Sequence, residues 1–557
     1  MSAPPSLYGC SIQPAMKIQI AAVLLLSAGL ATAAQLPATV PCEILIPVLD
    51  AGKTVVTAIA PDGRAYPVFR PAPAGKLVEN IRTELGKSFA QQVLRLDRYA
   101  RNLVAARPET ARTLVEERLA APMYLLMSAE EGGFARFGFW LEDAAATRKL
   151  VLSGYVDLVV SQNSVETGDF EEIFSHELGH LILKALTGGV GNGPSRKMHQ
   201  SMSVTDYPTA FDEGYAEHFQ PLARDATTNA YLRKLMSGVS ATDFELFWLS
   251  AADGQLRTDG VKRNLFIHRK PLPAIALDPH PDMYRLFIDQ ETSTAFLPTE
   301  LKNGQEMMAS EGIIATLFYR IVNDDQLRKH YLEPSFYQRF LGGPVEAPAQ
   351  AVTPYENVNL KLFAAMETLR STERNRAPMI NLVEQYAKLF PDEAKRIYAI
   401  FIETTWGATV SQQLASGLAH AAAEGARGDI AAFRQDHPFP LLDSTIAQVV
   451  ERKIALDASL GSELWVANTA FKIAPTVWGT KRSEPLTMNL NTASVAEWMS
   501  VPGVDLRMAR KIIAARDARG VFRSLDQLRE AGVPSDVIAR LREMQVAMAQ
   551  LGDYKRE

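Results

Sequence analysis

The chain has 557 residues, enough for several hydrophobic cores, and 47% hydrophobic with 22% charged residues is a globular balance that excludes a disordered or fibrous polymer. A formal net charge of -5 excludes a surface coated in phosphate-binding groups, so any nucleic-acid function must be confined to one module. Two cysteines, Cys10 and Cys42, exclude a disulfide framework.

In chain order, Met16-Lys17, the apolar run Ile18 to Leu30 and the small residues Ala31-Thr32-Ala33-Ala34 have the parts of a secretory signal. Residues 1–33 are therefore expected to be removed on export to the periplasm or medium. The run is short for a membrane span and no later segment is apolar for long enough, so no stable membrane insertion is expected after cleavage. Cys42 to Leu49 and Thr54 to Ala60 read as a hairpin around Asp50-Ala51-Gly52-Lys53. Residues 75 to 106 repeat apolar positions at steps of three or four, which predicts a helix, and Pro108 to Ala120 predicts another. Strands are expected at Met123 to Met127, Ala135 to Trp140 and Leu150 to Val160.

His176-Glu177-Leu178-Gly179-His180 follows. On a helix, residues four apart lie one above the other, so the two imidazoles can share one Zn²⁺ with Glu177 beside the metal's open position. Ile173, Phe174, Leu178, Leu181 and Ile182 supply an apolar face to pack on the sheet. The glycines from Gly188 to Gly193 end that helix, and a loop to about Pro208 is placed to wall a cleft. In Phe211 to Phe219, Glu213 is the economical third ligand, with His218 or His199 as competing assignments. Asp212 would face another side of the helix. Glu217, one turn beyond Glu213, suits a carboxylate receiving an N–H from a ligating imidazole. Glu177 would be the general base. Tyr215, Tyr207, His199 and Tyr319 are candidates for stabilising an oxyanion, and Glu311-Gly312 for lining the opposite cleft wall.

Downstream, helices are expected over Ile313 to Val322, Leu332 to Phe340, Asn359 to Leu369, Met379 to Leu389 and Asp392 to Phe401. The prolines from Pro271 to Pro281 predict an irregular segment before them, Ala421 to Arg427 a surface loop, and Ile473 to Pro485 a linker.

The two metal motifs resemble those of the gluzincin zinc metallopeptidases, in which the HExxH helix is followed by a second helix with a Glu-Gly-x-Ala-Glu setting, here Glu213-Gly214-Tyr215-Ala216-Glu217. The resemblance implies His176, His180 and Glu213 as zinc ligands, Glu177 as the catalytic carboxylate and Glu217 as the acid that partners a ligating imidazole. It also implies a mixed sheet packed on the active-site helix and a peptide or protein substrate. The aminopeptidase-type Gly-x-Met-Glu-Asn motif is missing upstream, which points to an endopeptidase.

From Leu486 onward, Asn489-Leu490-Asn491-Thr492-Ala493, Val501-Pro502-Gly503-Val504 and Phe522 to Leu528 resemble the tandem helix-hairpin-helix domain of bacterial competence DNA receptors. That resemblance implies phosphate binding near Gly503, Arg507, Arg510 and Lys511. Between 488 and 545, nine Lys or Arg stand against seven acids, a net +2 that makes a weak phosphate trap. A structural or protein-docking role is the alternative for this domain, and an exported DNA-associated protein with an inactive zincin scaffold is the alternative for the chain. The expected organisation is α+β: the signal at 1–33, a β-rich region with a zincin catalytic domain at 40–305, a mainly helical lobe at 306–475 and the helix-hairpin-helix domain at 486–545.

Overall fold

A computed structural model describes residues 39–107, 121–130, 132–191, 193–195, 197, 199–233, 250–269, 297–371, 376–428, 438–473 and 484–551. The expected signal, the helix at 108–120 and the proline-rich segment lie outside them. The chain is mixed α+β, with a mixed sheet near its amino end and largely helical structure after it.

The sheet contains β1 (Cys42–Pro47), β2 (Thr57–Ile59), β3 (Ala65–Pro71), β4 (Met123–Met127), β5 (Gly133–Glu142) and β6 (Arg148–Leu158), in the order β1-β4-β6-β5-β3-β2. A further pairing of β1 with β3 joins its ends, so five strands close into a ring with β2 hairpinned onto β3. Because side chains alternate along a strand, Leu45, Phe69, Tyr124, Leu126, Phe139 and Tyr155 fill one face, where Phe69 and Phe139 stack at 5.2 Å. Ile44, Leu125 and Val156 point the other way and join the core beneath the helices. The strand β3 was not expected from sequence, since Pro67 and Pro71 interrupt it. Pro67 faces β2, and Pro71 is the last residue of its strand.

The helical repeat at 75–106 is two helices, Lys76–Leu85 and Ser88–Ala105, parted at Gly86. The helix carrying the histidines runs Asp169–Thr187 between two left-handed glycines, Gly168 and Gly188, with Asp169, Glu171 and Glu172 complementing its first turn. Phe170, Phe174, Leu178 and Ile182 are buried, each contributing roughly 1.5–3 kcal/mol relative to exposure. Leu181 packs against Gly154 of β6, which seats the helix on the sheet.

One hydrophobic core extends from Val40 to Leu460, across both the β-rich region and the helical lobe. Its helices include Glu311–Asn323, Pro354–Thr368, Pro378–Leu389 and Ala394–Thr404. The expected loop at Ala421 to Arg427 is instead the end of a helix, Gln412–Ala426, built largely of alanine, the strongest helix former. A two-residue strand, β7 (His268–Arg269), pairs with β8 (Leu297–Leu301). The expected linker is flanked by β9 (Trp465–Ile473) and β10 (Glu484–Asn489), which pair antiparallel, so the chain enters the last module through a ladder. That module has its own core, with Trp498, Phe522, Leu528 and Leu541 at its centre. Its helices are Val495–Met499, Leu506–Arg519, Gln527–Glu530 and Ser535–Gln550.

Candidate metal centre

Gly179, inside the histidine motif, lets a second helix approach closely: a Cβ there would lie 2.9 Å from the Phe219 ring and 3.0 Å from the Ala216 Cα. That second helix is Tyr207–Glu217, capped by Asp206, whose carboxylate accepts the Thr209 N–H. Its own Gly214 presses on the helix Glu311–Asn323, where a Cβ would meet the Glu311 carbonyl at 2.7 Å. Two close helix contacts thus bring Glu213 between the histidines and Glu311.

His176, His180 and Glu213 form a cluster able to hold a metal ion. The His176 and His180 Nε2 atoms are 3.2 Å apart, and Glu213 Oε2 lies 3.4 Å from His180 Nε2 and 3.7 Å from His176 Nε2. Ligands at zinc bond lengths sit about 3.3 Å from one another around a tetrahedron, and the three spacings here fit one face of it. Burial pushes the His176 imidazole down to about 4. Burial also opposes charge on His180, but the carboxylates of Asp212 and Glu213 hold it well above its ordinary value. Glu213 is likewise disfavoured as an anion by burial, yet His199 and His180 beside it keep its carboxyl well below the usual range.

Glu177 follows His176 on the same helix. Its carboxylate lies against β5, with Oε1 2.6 Å from where a Gly133 Cβ would be, and burial pushes its carboxyl up to about 7. Residues Gly133–Phe137 of β5 pair with β6, while β3 reaches β5 only at Trp140 and Leu141, so among the described strands one edge of β5 beside Glu177 is unpaired.

Beside His180 Nδ1 stands the carboxylate of Asp212. Asp212 Oδ1 is 3.0 Å from His180 Nδ1, whereas Glu217 is buried one turn further on. The helical-face argument selected Glu217, but the crossing of the two helices brings the His180 ring to the Asp212 flank instead. His218 is no ligand in this arrangement. It is buried, its Nδ1 meets the Tyr215 carbonyl, and its ring packs on Phe219 and Phe318.

Of the four oxyanion candidates, His199 has direct contact with the cluster: its Nδ1 is 3.4 Å from Glu213 Oε2 and 3.7 Å from Glu311 Oε1, and its side chain is 46% exposed. Tyr215 is turned into the core among Phe219, Phe318 and His218. Tyr207 is also buried, and the Tyr319 hydroxyl donates to Asp225 Oδ2 at 2.7 Å. Glu311, at the start of the helix Glu311–Asn323, is linked to Glu213 through His199. Asp212 and the β5 edge were missed; only the adjacency of Asp212 to Glu213 hinted at the first.

In the last module, Gly503, Arg507, Arg510 and Lys511 are all exposed, the last three on the helix Leu506–Arg519. Lys511 reaches the second hairpin, with Nζ 2.3 Å from where a Gly532 Cβ would be, while Arg510 lines a cavity of about 710 Å³ between the module and the body. Arg540 donates to the Pro502 carbonyl, closing the first hairpin.

The centre and the fold around it define an α+β protein with a candidate metal site. Residues 486–542 match the family described as the helix-hairpin-helix motif. No curated protein and no solved structure matches the chain significantly. Among the described residues, no helix is long and apolar enough to cross a membrane.

Proposed function

We propose that the chain is an exported zinc-dependent endopeptidase of gluzincin type. The observation that carries this reading is the mutual spacing of His176 Nε2, His180 Nε2 and Glu213 Oε2 within 3.7 Å, which supports a shared metal ion. Two imidazoles and a carboxylate are a donor set suited to zinc, which when bound would supply Lewis acidity to a carbonyl and to water.

The chain's own residues do the rest. Glu177 takes the proton of the attacking water and passes it to the leaving amine. His199 donates an N–H to the oxyanion as charge develops there. Asp212 holds His180 in the tautomer that turns Nε2 toward Glu213. The edge of β5 left unpaired among the described strands offers backbone groups to an extended substrate chain, a contact that asks for no free terminus and so fits cleavage within a chain.

Zinc content and hydrolysis of a quenched-fluorescence peptide library test this. Glu213→Gln is expected to lose zinc, and Glu177→Gln to keep zinc while losing roughly 10²–10⁴-fold in rate. Glu177→Gln that retains both zinc and full activity would refute the mechanism.

A further inference from the structure

The helix-hairpin-helix module is tied to the rest of the chain by buried polar contacts, and these converge on the metal cleft. Lys197 Nζ lies 3.3 Å from both Glu497 oxygens, and the two side chains are 4% and 1% exposed. Thr487 Oγ1, on β10, donates to the Pro194 carbonyl at 2.8 Å. The next residue, Ser195, gives its N–H to Asp206 Oδ2 at 2.9 Å, and Asp206 is the residue that caps the Glu213 helix. Gly193 packs so tightly on the same carboxylate that a Cβ would fall 1.8 Å from Oδ1. Two residues past Lys197 stands His199.

The opposite wall is gripped as well. Asn303 Nδ2 donates to the Asn491 carbonyl at 2.8 Å and Asn489 Nδ2 to Gln305 Oε1 at 2.9 Å, just ahead of the helix that begins at Glu311. A buried ion pair contributes little net stability, because the cost of desolvating both charges offsets their attraction, but it penalises every arrangement that parts them. The module's contacts therefore set position more than they add stability.

We propose that the helix-hairpin-helix module is a positioning element of the metal cleft: Lys197 and Glu497, helped by Thr487, hold the stretch carrying His199, while Asn489 and Asn491 hold the wall carrying Glu311. This rests on the peptidase reading for its kinetic arm alone.

The test is the double variant Lys197→Met/Glu497→Gln in the full chain, which removes both charges of the pair together. Thr487→Val is a milder second variant, and Lys197→Arg, which keeps the charge, should restore part of what Lys197→Met loses. Amide exchange over residues 193–199 is expected to rise by roughly tenfold or more, with the module's core around Leu528 and Leu541 unchanged. Zinc affinity should stay within about threefold, and kcat should fall by about tenfold with little change in KM, since a misplaced group acts on the transition state. Unchanged exchange at 193–199 in both folded variants would overturn the proposal, as would faster exchange with an undiminished kcat in an active enzyme. If exchange rises but the unmodified protein hydrolyses no peptide, the positioning role stands and the peptidase reading falls.

Discussion

Asp212→Asn is the sharpest probe of the metal centre, because Asp212 and Glu217 are rival acids for orienting the ligands. Asp212 Oδ1 lies 3.0 Å from His180 Nδ1 and fixes the ring so that Nε2 faces Glu213. Losing such a carboxylate costs about 10–100-fold in metal affinity, or roughly 1.4–2.7 kcal/mol. The Asp212 side chain is 43% exposed, so water screens its field, and the asparagine can still accept one hydrogen bond. The expected loss is therefore at the lower end, about tenfold. The His180 contact is already taken by Asp212, and His176 Nδ1 has no hydrogen-bond partner among the described residues, so Glu217→Gln should leave zinc affinity within about twofold. Competition against a chromophoric chelator in metal-buffered solution measures both, with thermal unfolding of the metal-free proteins as the control for folding. Equal losses in the two variants, or none in Asp212→Asn, would refute the reasoning.

Gly179→Ala should destabilise the fold by about 1–3 kcal/mol and weaken zinc binding, since its Cβ would meet the Phe219 ring at 2.9 Å and part the two ligand-bearing helices; urea unfolding and the same chelator competition read the two effects. Burial pushes the Glu463 carboxyl from 4.5 up to about 7, so the folded state binds its proton more tightly than the unfolded chain and stability falls as pH rises through that window. Glu463→Gln should then be near neutral at about pH 4 and stabilising by roughly 1–3 kcal/mol at about pH 8; an equal effect at both values contradicts the burial argument. Lys361 is fully buried and 2.5 Å from Glu393, which also meets His330 and Tyr386. Lys361→Met should cost about 3–5 kcal/mol and Lys361→Met/Glu393→Gln less, with zinc affinity unchanged in both.

The parts of the centre that lie within one helical turn were legible in the sequence. His176, Glu177 and His180 need only the period of a helix to come together, and a second helix with Glu213 needed only its motif setting. Contacts that depend on how helices cross were not legible. Asp212 and Glu217 are both near Glu213 in sequence, and periodicity alone prefers the residue one turn away. Tyr215 and His218 carry suitable chemistry, yet the helix face they occupy is buried against Phe318, which lies a hundred residues downstream. The fold shows the same division. The β4 strand was legible to the residue from its apolar run, whereas β3 carries two prolines, one opposite Thr57 of β2 and one at its last position. The end of Gln412–Ala426 reads as a loop from its small and polar residues, although alanine needs no partner to favour a helix.

The charge of the last module divides the same way once its faces are known. Arg516, Glu497 and Asp517 are engaged with the body: Arg516 and Arg269 meet Glu306 and Asp517, and Glu497 meets Lys197. Removing those three from the nine cations and seven acids between 488 and 545 leaves eight against five on the remaining surface. Arg519, Arg540 and Arg542 are in turn paired with Glu530, Asp536 and Asp526. Such surface pairs are worth ~1 kcal/mol or less and would yield to a phosphate, but each one that yields leaves its acid behind to repel the same strand. The outward face thus carries only a modest attraction for a polyanion, while the inward face carries charges matched to partners on the body, with Arg516 and Glu497 buried. A module whose charges are fitted so closely to the walls of a cleft acts on that cleft, whatever else its hairpins touch.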